Sequence, residues 1–92
     1  MQIGVARLQV SMYATSLKEK RSYLRPIKDK VRNDFNISIA EVALQEQWQN
    51  SELGLAMITF DRDFFQKTVH KIIAMIERKG EMEVTGYDID YC

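Results

Sequence analysis

The sequence contains one cysteine, one histidine, one proline and four glycines, and each scarcity excludes a class of protein. A lone cysteine, Cys92, forms neither a disulfide framework nor a multi-cysteine metal site. Four scattered glycines do not make a glycine-rich phosphate loop. No segment approaches the roughly 18 apolar residues that cross a membrane, and the first residues lack the pattern of a signal peptide. We therefore expect a cytoplasmic protein that uses no metal or cofactor.

A net charge is also missing, because thirteen acidic residues balance thirteen basic ones. Whole-molecule charge therefore predicts no partner, and any electrostatic argument depends on where the charges lie. The length of 92 residues and the hydrophobic share of 46% are those of one globular domain with one core. We expect a single domain over residues 1–92.

Hydrophobic periodicity predicts six elements in the order strand, helix, strand, strand, helix, strand. The strands are predicted over residues 3–13, 37–44, 53–60 and 82–91. The first helix begins at a capping box of Ser16 and Glu19 and extends to Asp34, while the second begins at Asp61 and ends before Gly80. This order is typical of a ferredoxin-like α+β domain, βαββαβ, with a four-stranded antiparallel sheet and two helices on one face.

The first helix is unusually basic and contains the only proline. Residues 16–32, SLKEKRSYLRPIKDKVR, hold seven of the thirteen Lys and Arg residues. Pro26 removes one helical hydrogen bond, so we expect one helix that is kinked at this residue. The alternative is a regular helix that begins near Arg25.

Five cations of this helix lie within about 80° of the helical wheel and form a stripe about 21 Å long. This cationic stripe comprises Lys18, Arg21, Arg25, Lys28 and Arg32. Successive residues of the stripe are three or four positions apart and carry the same charge. Each such pair destabilises the helix by about 0.2–0.5 kcal/mol. The pattern is typical of a surface that binds the phosphate oxygens of a nucleic acid. The alternative is a solvated face whose long side chains cover apolar edges.

The sheet face opposite the helices is predicted to expose an apolar patch. Strand alternation assigns to it Ile3, Val5, Tyr87, Ile89 and Tyr91. Such patches mark interfaces, which favours a homodimer or another protein interaction through the sheet. A bulge at Gly86 would instead turn the last-strand residues inward. Base stacking on the tyrosines is a third interpretation.

No residues form a catalytic constellation. His70 has no nearby cysteine with which to bind a metal, and Asp61 is explained by capping the second helix. Acylphosphatases share this size and topology, but their glycine-rich phosphate-binding turn with its following arginine is absent after the first strand. The sequence therefore predicts a protein that is not an enzyme.

The segments SLKEKR, NISIAEV and QEQWQ, in this order and spacing, resemble the YlxP-like family of small bacterial proteins. The resemblance covers nearly the whole chain and implies a ferredoxin-like fold. The motif positions are Ser16, Lys18, Lys20, Arg21, Glu41, Gln45 and Trp48. Family members are generally described as uncharacterised, and their gene neighbourhoods suggest a link to ribosome maturation or translation. The resemblance implies no catalytic role for these residues.

Trp48 stands in a polar connection after the second strand. Tryptophan is enriched at interface hot spots, so it is a candidate anchor for a partner. We expect instead that it folds over the domain edge and seals the core. For the chain as a whole, we expect binding to ribosomal or other structured RNA through the cationic stripe. The alternative is a protein-interaction module that uses the open sheet face.

Overall fold

A computed structural model describes all 92 residues, and the six elements follow the predicted order. The strands are β1 (Gln2–Met12), β2 (Ser38–Ala43), β3 (Asn50–Thr59) and β4 (Met82–Tyr91), and the helices are α1 (Leu17–Asp34) and α2 (Arg62–Arg78). The strands form one antiparallel sheet in the order β2-β3-β1-β4. The predicted α+β class and ferredoxin-like βαββαβ arrangement are confirmed. Neither helix is long and apolar enough to span a membrane.

The core lies between the sheet and the two helices. Alternate residues of β1 are buried because successive strand side chains point to opposite faces. The buried cluster includes Leu8, Val10 and Met12 from β1, Leu24, Ile27 and Val31 from α1, and Phe65, Val69, Ile72 and Ile76 from α2. Gly4 allows α2 to approach the sheet closely, since a Cβ atom there would lie 2.6 Å from the ring of Phe65.

The first helix begins at the predicted cap. The hydroxyl of Ser16 accepts a hydrogen bond from the backbone N–H of Glu19 at 3.0 Å. The Glu19 carboxylate accepts from the backbone N–H of Thr15 at 2.8 Å, one residue earlier than the usual capping box. The helix then continues through Pro26 to Asp34, so the alternative of a helix that begins near Arg25 is wrong.

The second helix also begins and ends as predicted. The Asp61 carboxylate caps its N-terminus by accepting a hydrogen bond from the backbone N–H of Asp63 at 2.9 Å. Gly80 follows the helix with a φ of 79°, the left-handed conformation that favours glycine at a helix C-terminus.

The pairing of β1 with β4 contains a β-bulge that reverses one prediction. Gln9 lies opposite Gly86, whereas Val10 lies opposite Val84, so Thr85 is an extra residue in β4. Because strand side chains alternate between faces, one inserted residue moves all later side chains to the other face. The bulge therefore lies beside Gly86, where the alternative interpretation placed it.

The predicted position of Tyr87, Ile89 and Tyr91 on the open sheet face is wrong, because all three lie on the helix side. The Tyr91 ring meets Phe65 edge-on at 6.0 Å, and its hydroxyl donates to the carbonyl oxygen of Arg62 at 3.1 Å. Ile89 packs against the core cluster. The Tyr87 ring lies 5.7 Å from the ring of His70 on α2. The tyrosines therefore complete the packing between β4 and α2.

Candidate nucleic-acid interface

The cationic stripe lies along α1 where this helix borders the edge strand β2. Lys18, Arg21 and Arg25 are exposed, and Lys28 is half-buried. Arg32 differs from them because its guanidinium donates to the carbonyl oxygen of Ile39 on β2 at 2.9 Å. It also lies 3.8 Å from the carboxylate of Asp29. Although Arg32 is exposed, its guanidinium already has two partners, and its hydrogen bond to Ile39 connects the helix to the edge of the sheet.

Three of the remaining stripe cations converge on one small cavity between α1 and β2. This cavity has a volume of about 180 Å³. It is lined by Leu17, Lys20, Arg21, Leu24, Arg25, Lys28, Glu41 and Gln45. We call it the cationic pocket. Its lining brings stripe residues of α1 together with two motif residues that are distant in sequence, Glu41 and Gln45.

The charges around the cationic pocket do not cancel. Arg21, Arg25 and Lys28 form no ion pair with any carboxylate of the chain. The one acid in the lining, Glu41, is paired with Lys20 at 2.7 Å. Because this pair is internally neutral, the lining of the pocket retains three uncompensated positive charges, those of Arg21, Arg25 and Lys28.

Lys20 is a buried lysine, with 1% of its surface exposed. Its ammonium donates to the carbonyl oxygens of Leu44, Gln47 and Asn50 at 2.8, 2.7 and 2.8 Å. A buried charge is tolerated when it is paired and hydrogen-bonded, and both conditions are met here by the loop carbonyls and Glu41.

Glu41 extends this polar cluster to β3. Its carboxylate accepts a hydrogen bond from the hydroxyl of Ser51 at 2.7 Å, and Ser51 is fully buried. Ser51 belongs to β3, which begins at Asn50 rather than at the predicted residue 53. The strand extends into a polar segment because Ser51 and Asn50 pair with β1.

The sequence analysis did not predict that Lys20 is buried, although the position of Lys20 among the apolar residues of α1 indicates it. Lys20 follows Leu17 by three residues and precedes Leu24 by four, so it lies on the apolar face of α1. A buried lysine is stabilised by a carboxylate partner, and Glu41 is the acid of the next strand. The motif positions Lys20 and Glu41 are therefore a structural pair beneath the pocket.

Trp48 lies in the β2–β3 loop, residues 44–49. The Lys20 ammonium donates hydrogen bonds to the carbonyl oxygens of Leu44 and Gln47 in this loop. For Trp48 itself, exposure decides its role. Its side chain is 52% exposed and is not part of the buried cluster. The expectation that Trp48 seals the core is therefore wrong. Gln45, in the same loop, lines the cationic pocket.

The open sheet face retains part of its predicted apolar patch. Ile3 is 42% exposed and lies opposite Ile58 of β3, which is 63% exposed. Val5 lines a shallow groove of about 620 Å³ that crosses β1, β3 and β2. Asp88, on β4, lies 3.7 Å from Arg7 at the margin of this face.

His70 and Tyr23 are titratable residues that lie outside the cationic pocket. His70 Nε2 lies 3.1 Å from the hydroxyl of Tyr87. Burial raises the pKa of the Tyr23 hydroxyl above its ordinary value, and the carboxylates of Glu19 and Glu81 raise it further. No three His, Cys, Asp or Glu side chains are grouped closely enough to hold a metal ion.

Fold and site together define a small ferredoxin-like α+β domain with a cationic pocket on its first helix. The chain belongs to the DUF503 family of proteins of unknown function, which matches residues 3–89. A relative, the uncharacterised protein YlxP of Bacillus subtilis (strain 168), is 38% identical over 84 residues. That match covers 90% of this chain and 91% of the relative. The resemblance to the YlxP-like family is therefore confirmed.

Solved structures with little sequence similarity share the fold. The de novo designed protein Foldit4 has a TM-score of 0.53 and 10% identity, with coverage of 100% of this chain and 97% of the design. A C-terminal segment of the alpha subunit of aIF2 from Pyrococcus abyssi has a TM-score of 0.52 and 6% identity. This match covers 97% of this chain and 49% of that one. At such identities the likeness concerns the fold alone.

Proposed function

We propose that this chain is a non-enzymatic cytoplasmic protein that binds ribosomal or other structured RNA through its cationic pocket. The observation that carries the proposal is the convergence of Arg21, Arg25 and Lys28 on one cavity without an ion-pair partner. Like charges so close together oppose one another, and phosphate groups relieve this repulsion.

The chemistry of the pocket suits phosphate oxygens. Arg21 and Arg25 each offer a planar fork of N–H donors that matches phosphate, while Lys28 adds a compact positive charge. The cavity of about 180 Å³ is small, and Arg21 and Arg25 beside it are exposed, which favours adjacent phosphate groups of one strand over a large organic ligand. The surrounding stripe cations, such as Lys18, would contact neighbouring phosphates along the strand.

The pocket variant Arg21→Gln/Arg25→Gln/Lys28→Gln tests this proposal. The measurement is binding to purified ribosomal subunits and to a structured RNA at 50 and 200 mM salt. Three phosphate contacts predict that the affinity of the native chain falls about 20-fold over this range, from a slope of about −0.7 per contact on single strands. The variant is expected to lose most of this salt-sensitive binding.

A matched control removes three exposed cations from the other helix, in the variant Lys67→Gln/Lys71→Gln/Arg78→Gln. Because the change in net charge is the same, this control separates the pocket from general electrostatic attraction. The control is expected to retain most of the binding. Equal losses in both variants, or no binding by the native chain, would contradict the proposal.

A second candidate function is self-association through the open sheet face. The observation that favours it is the pair Ile3 and Ile58, which face each other across β1 and β3 with large exposed fractions. Apolar association persists at high salt, whereas phosphate binding weakens. The partner in this case is a second copy of the chain, and the interface does not involve the cationic pocket.

Sedimentation at 0.5 M salt tests self-association. If the open face is an interface, the native chain sediments as a dimer and the Ile58→Asp variant as a monomer, because a buried unpaired carboxylate opposes apolar contact. The matched control Gln66→Asp places the same charge on an exposed position of α2 and leaves the dimer intact. A native monomer at all accessible concentrations would rule this candidate out.

A further inference from the structure

The β2–β3 loop is held in one shape by a residue outside it. The buried ammonium of Lys20 binds three carbonyl oxygens between Leu44 and Asn50, which lie at the start, middle and end of the connection. Leu44 adopts a φ of 65°, a conformation that non-glycine residues rarely take. Such a conformation persists only where surrounding contacts impose it. The loop is therefore preorganised rather than free to rearrange.

This fixed loop presents Trp48 to solvent in polar surroundings. The side chains that line the shallow concavity around Trp48 are Glu46, Gln47, Gln49 and Asn50. Tryptophan hot spots of protein interfaces lie at the centre of well-packed, desolvated patches, whereas the other residues that line this concavity are all polar. The setting instead suits a ligand that offers one flat face and polar edges.

The loop begins beside the cationic pocket. Gln45 lines the pocket, and Trp48 follows it by three residues, so their Cα atoms are at most about 11 Å apart. Lys20 belongs to both features, because it lines the pocket and holds the loop. This short separation is the reason for placing a base of a pocket-bound strand at the indole ring.

We propose that Trp48 stacks on an unpaired nucleobase of the RNA whose phosphate occupies the cationic pocket. This inference rests on the proposed function and narrows its ligand to loops, bulges or single-stranded ends. Bases inside a duplex already stack on both faces, whereas unpaired bases are open to aromatic side chains. Stacking of this kind tolerates any base, because every base has a π-face.

Trp48 reports on its own contact, because it is the only tryptophan in the chain. The probes are a 12-nucleotide single-stranded RNA, a length within the roughly 4–16 nucleotides of known single-strand sites, and the blunt duplex of the same sequence. Tryptophan emission and RNA fluorescence anisotropy are followed in one titration. We expect quenched emission and tight binding with the single strand, and weak binding without quenching with the duplex.

Variants separate stacking from charge. Trp48→Ala is expected to weaken single-strand binding by about 5- to 150-fold, while Trp48→Phe retains an aromatic face and loses less. Phe60→Ala is the matched control, since Phe60 is another exposed aromatic residue at a different corner of the fold. Circular dichroism checks that each variant is folded.

The possible failures are distinguishable. Binding that depends on the pocket cations but is unchanged in Trp48→Ala, or is equally tight for the duplex, would overturn the stacking inference and leave the proposed function standing. A native chain that binds ribosomal subunits but not the single strand would also overturn only the stacking inference, whereas absence of binding to all of these RNAs would overturn both.

Discussion

At the scale of single residues, Lys20 has the most unusual environment of any charged side chain in the fold. Its ammonium lies within 2.8 Å of four oxygen atoms, one of them from Glu41. An ammonium carries three N–H donors, so this site satisfies all of them and also supplies a countercharge. Lys20 therefore stabilises the fold only together with the three carbonyl oxygens and the carboxylate of Glu41.

Loss of Lys20 is therefore expected to be costly. Lys20→Met removes the ammonium while retaining much of the side-chain length, and it leaves Glu41 and three carbonyl groups without their partner. Removal of one member of a buried ion pair typically lowers the free energy of unfolding by about 3–5 kcal/mol. Urea denaturation of the native chain and the variant measures this difference.

Two further variants decide whether the buried pair is responsible. Lys18→Met, at an exposed position of the same helix, is expected to change the free energy of unfolding by less than about 0.5 kcal/mol. The double variant Lys20→Met/Glu41→Leu is expected to recover part of the loss, because no buried charge remains unpaired. A Lys20→Met variant as stable as Lys18→Met would contradict this account.

At the scale of elements, the boundaries that depend on local signals were predictable. Ser16 caps α1, Asp61 caps α2 and Gly80 follows α2, each as its residue type indicates. The arrangement of six elements follows from hydrophobic periodicity. These features were accessible because the interactions that determine them are close in sequence.

The features that were missed depend on contacts between distant parts of the chain. The bulge at Thr85 is defined only by the pairing of β4 with β1, so strand alternation alone placed Tyr87 and its neighbours on the wrong face. The role of Lys20 likewise depends on a loop 24–30 residues away. The cationic stripe was visible in the sequence, but its division into pocket cations and the engaged Arg32 was not.

The C-terminus of α2 offers a test at this scale. Gly80→Ala is expected to lower the free energy of unfolding by about 1–2 kcal/mol, because an L-residue is strained at this positive φ. No atom lies within 4 Å of the added methyl position, so the effect comes from the backbone alone. Thermal or urea denaturation measures it. Gly80→Asn should lose less, and an unchanged Gly80→Ala variant would contradict the assigned conformation.

At the scale of the whole molecule, charge is separated although the total is zero. The cationic pocket borders β2 at one edge of the sheet, whereas β4 forms the opposite edge. Residues 81–92 carry four acids and no Lys or Arg. The pocket therefore offers uncompensated positive charge to a polyanion at the β2 edge, whereas the β4 strand itself carries only acidic charges.

The dependence of RNA affinity on salt tests the central claim most directly. The measurement is the slope of log affinity against log salt for the single-stranded RNA, with the native chain and the pocket variant Arg21→Gln/Arg25→Gln/Lys28→Gln. Three phosphate contacts at the pocket predict a slope of about −2 for the native chain and a slope no steeper than about −0.7 for the variant, which keeps Lys18. A native slope near zero, or equal steep slopes for both proteins, would contradict phosphate binding in the cationic pocket.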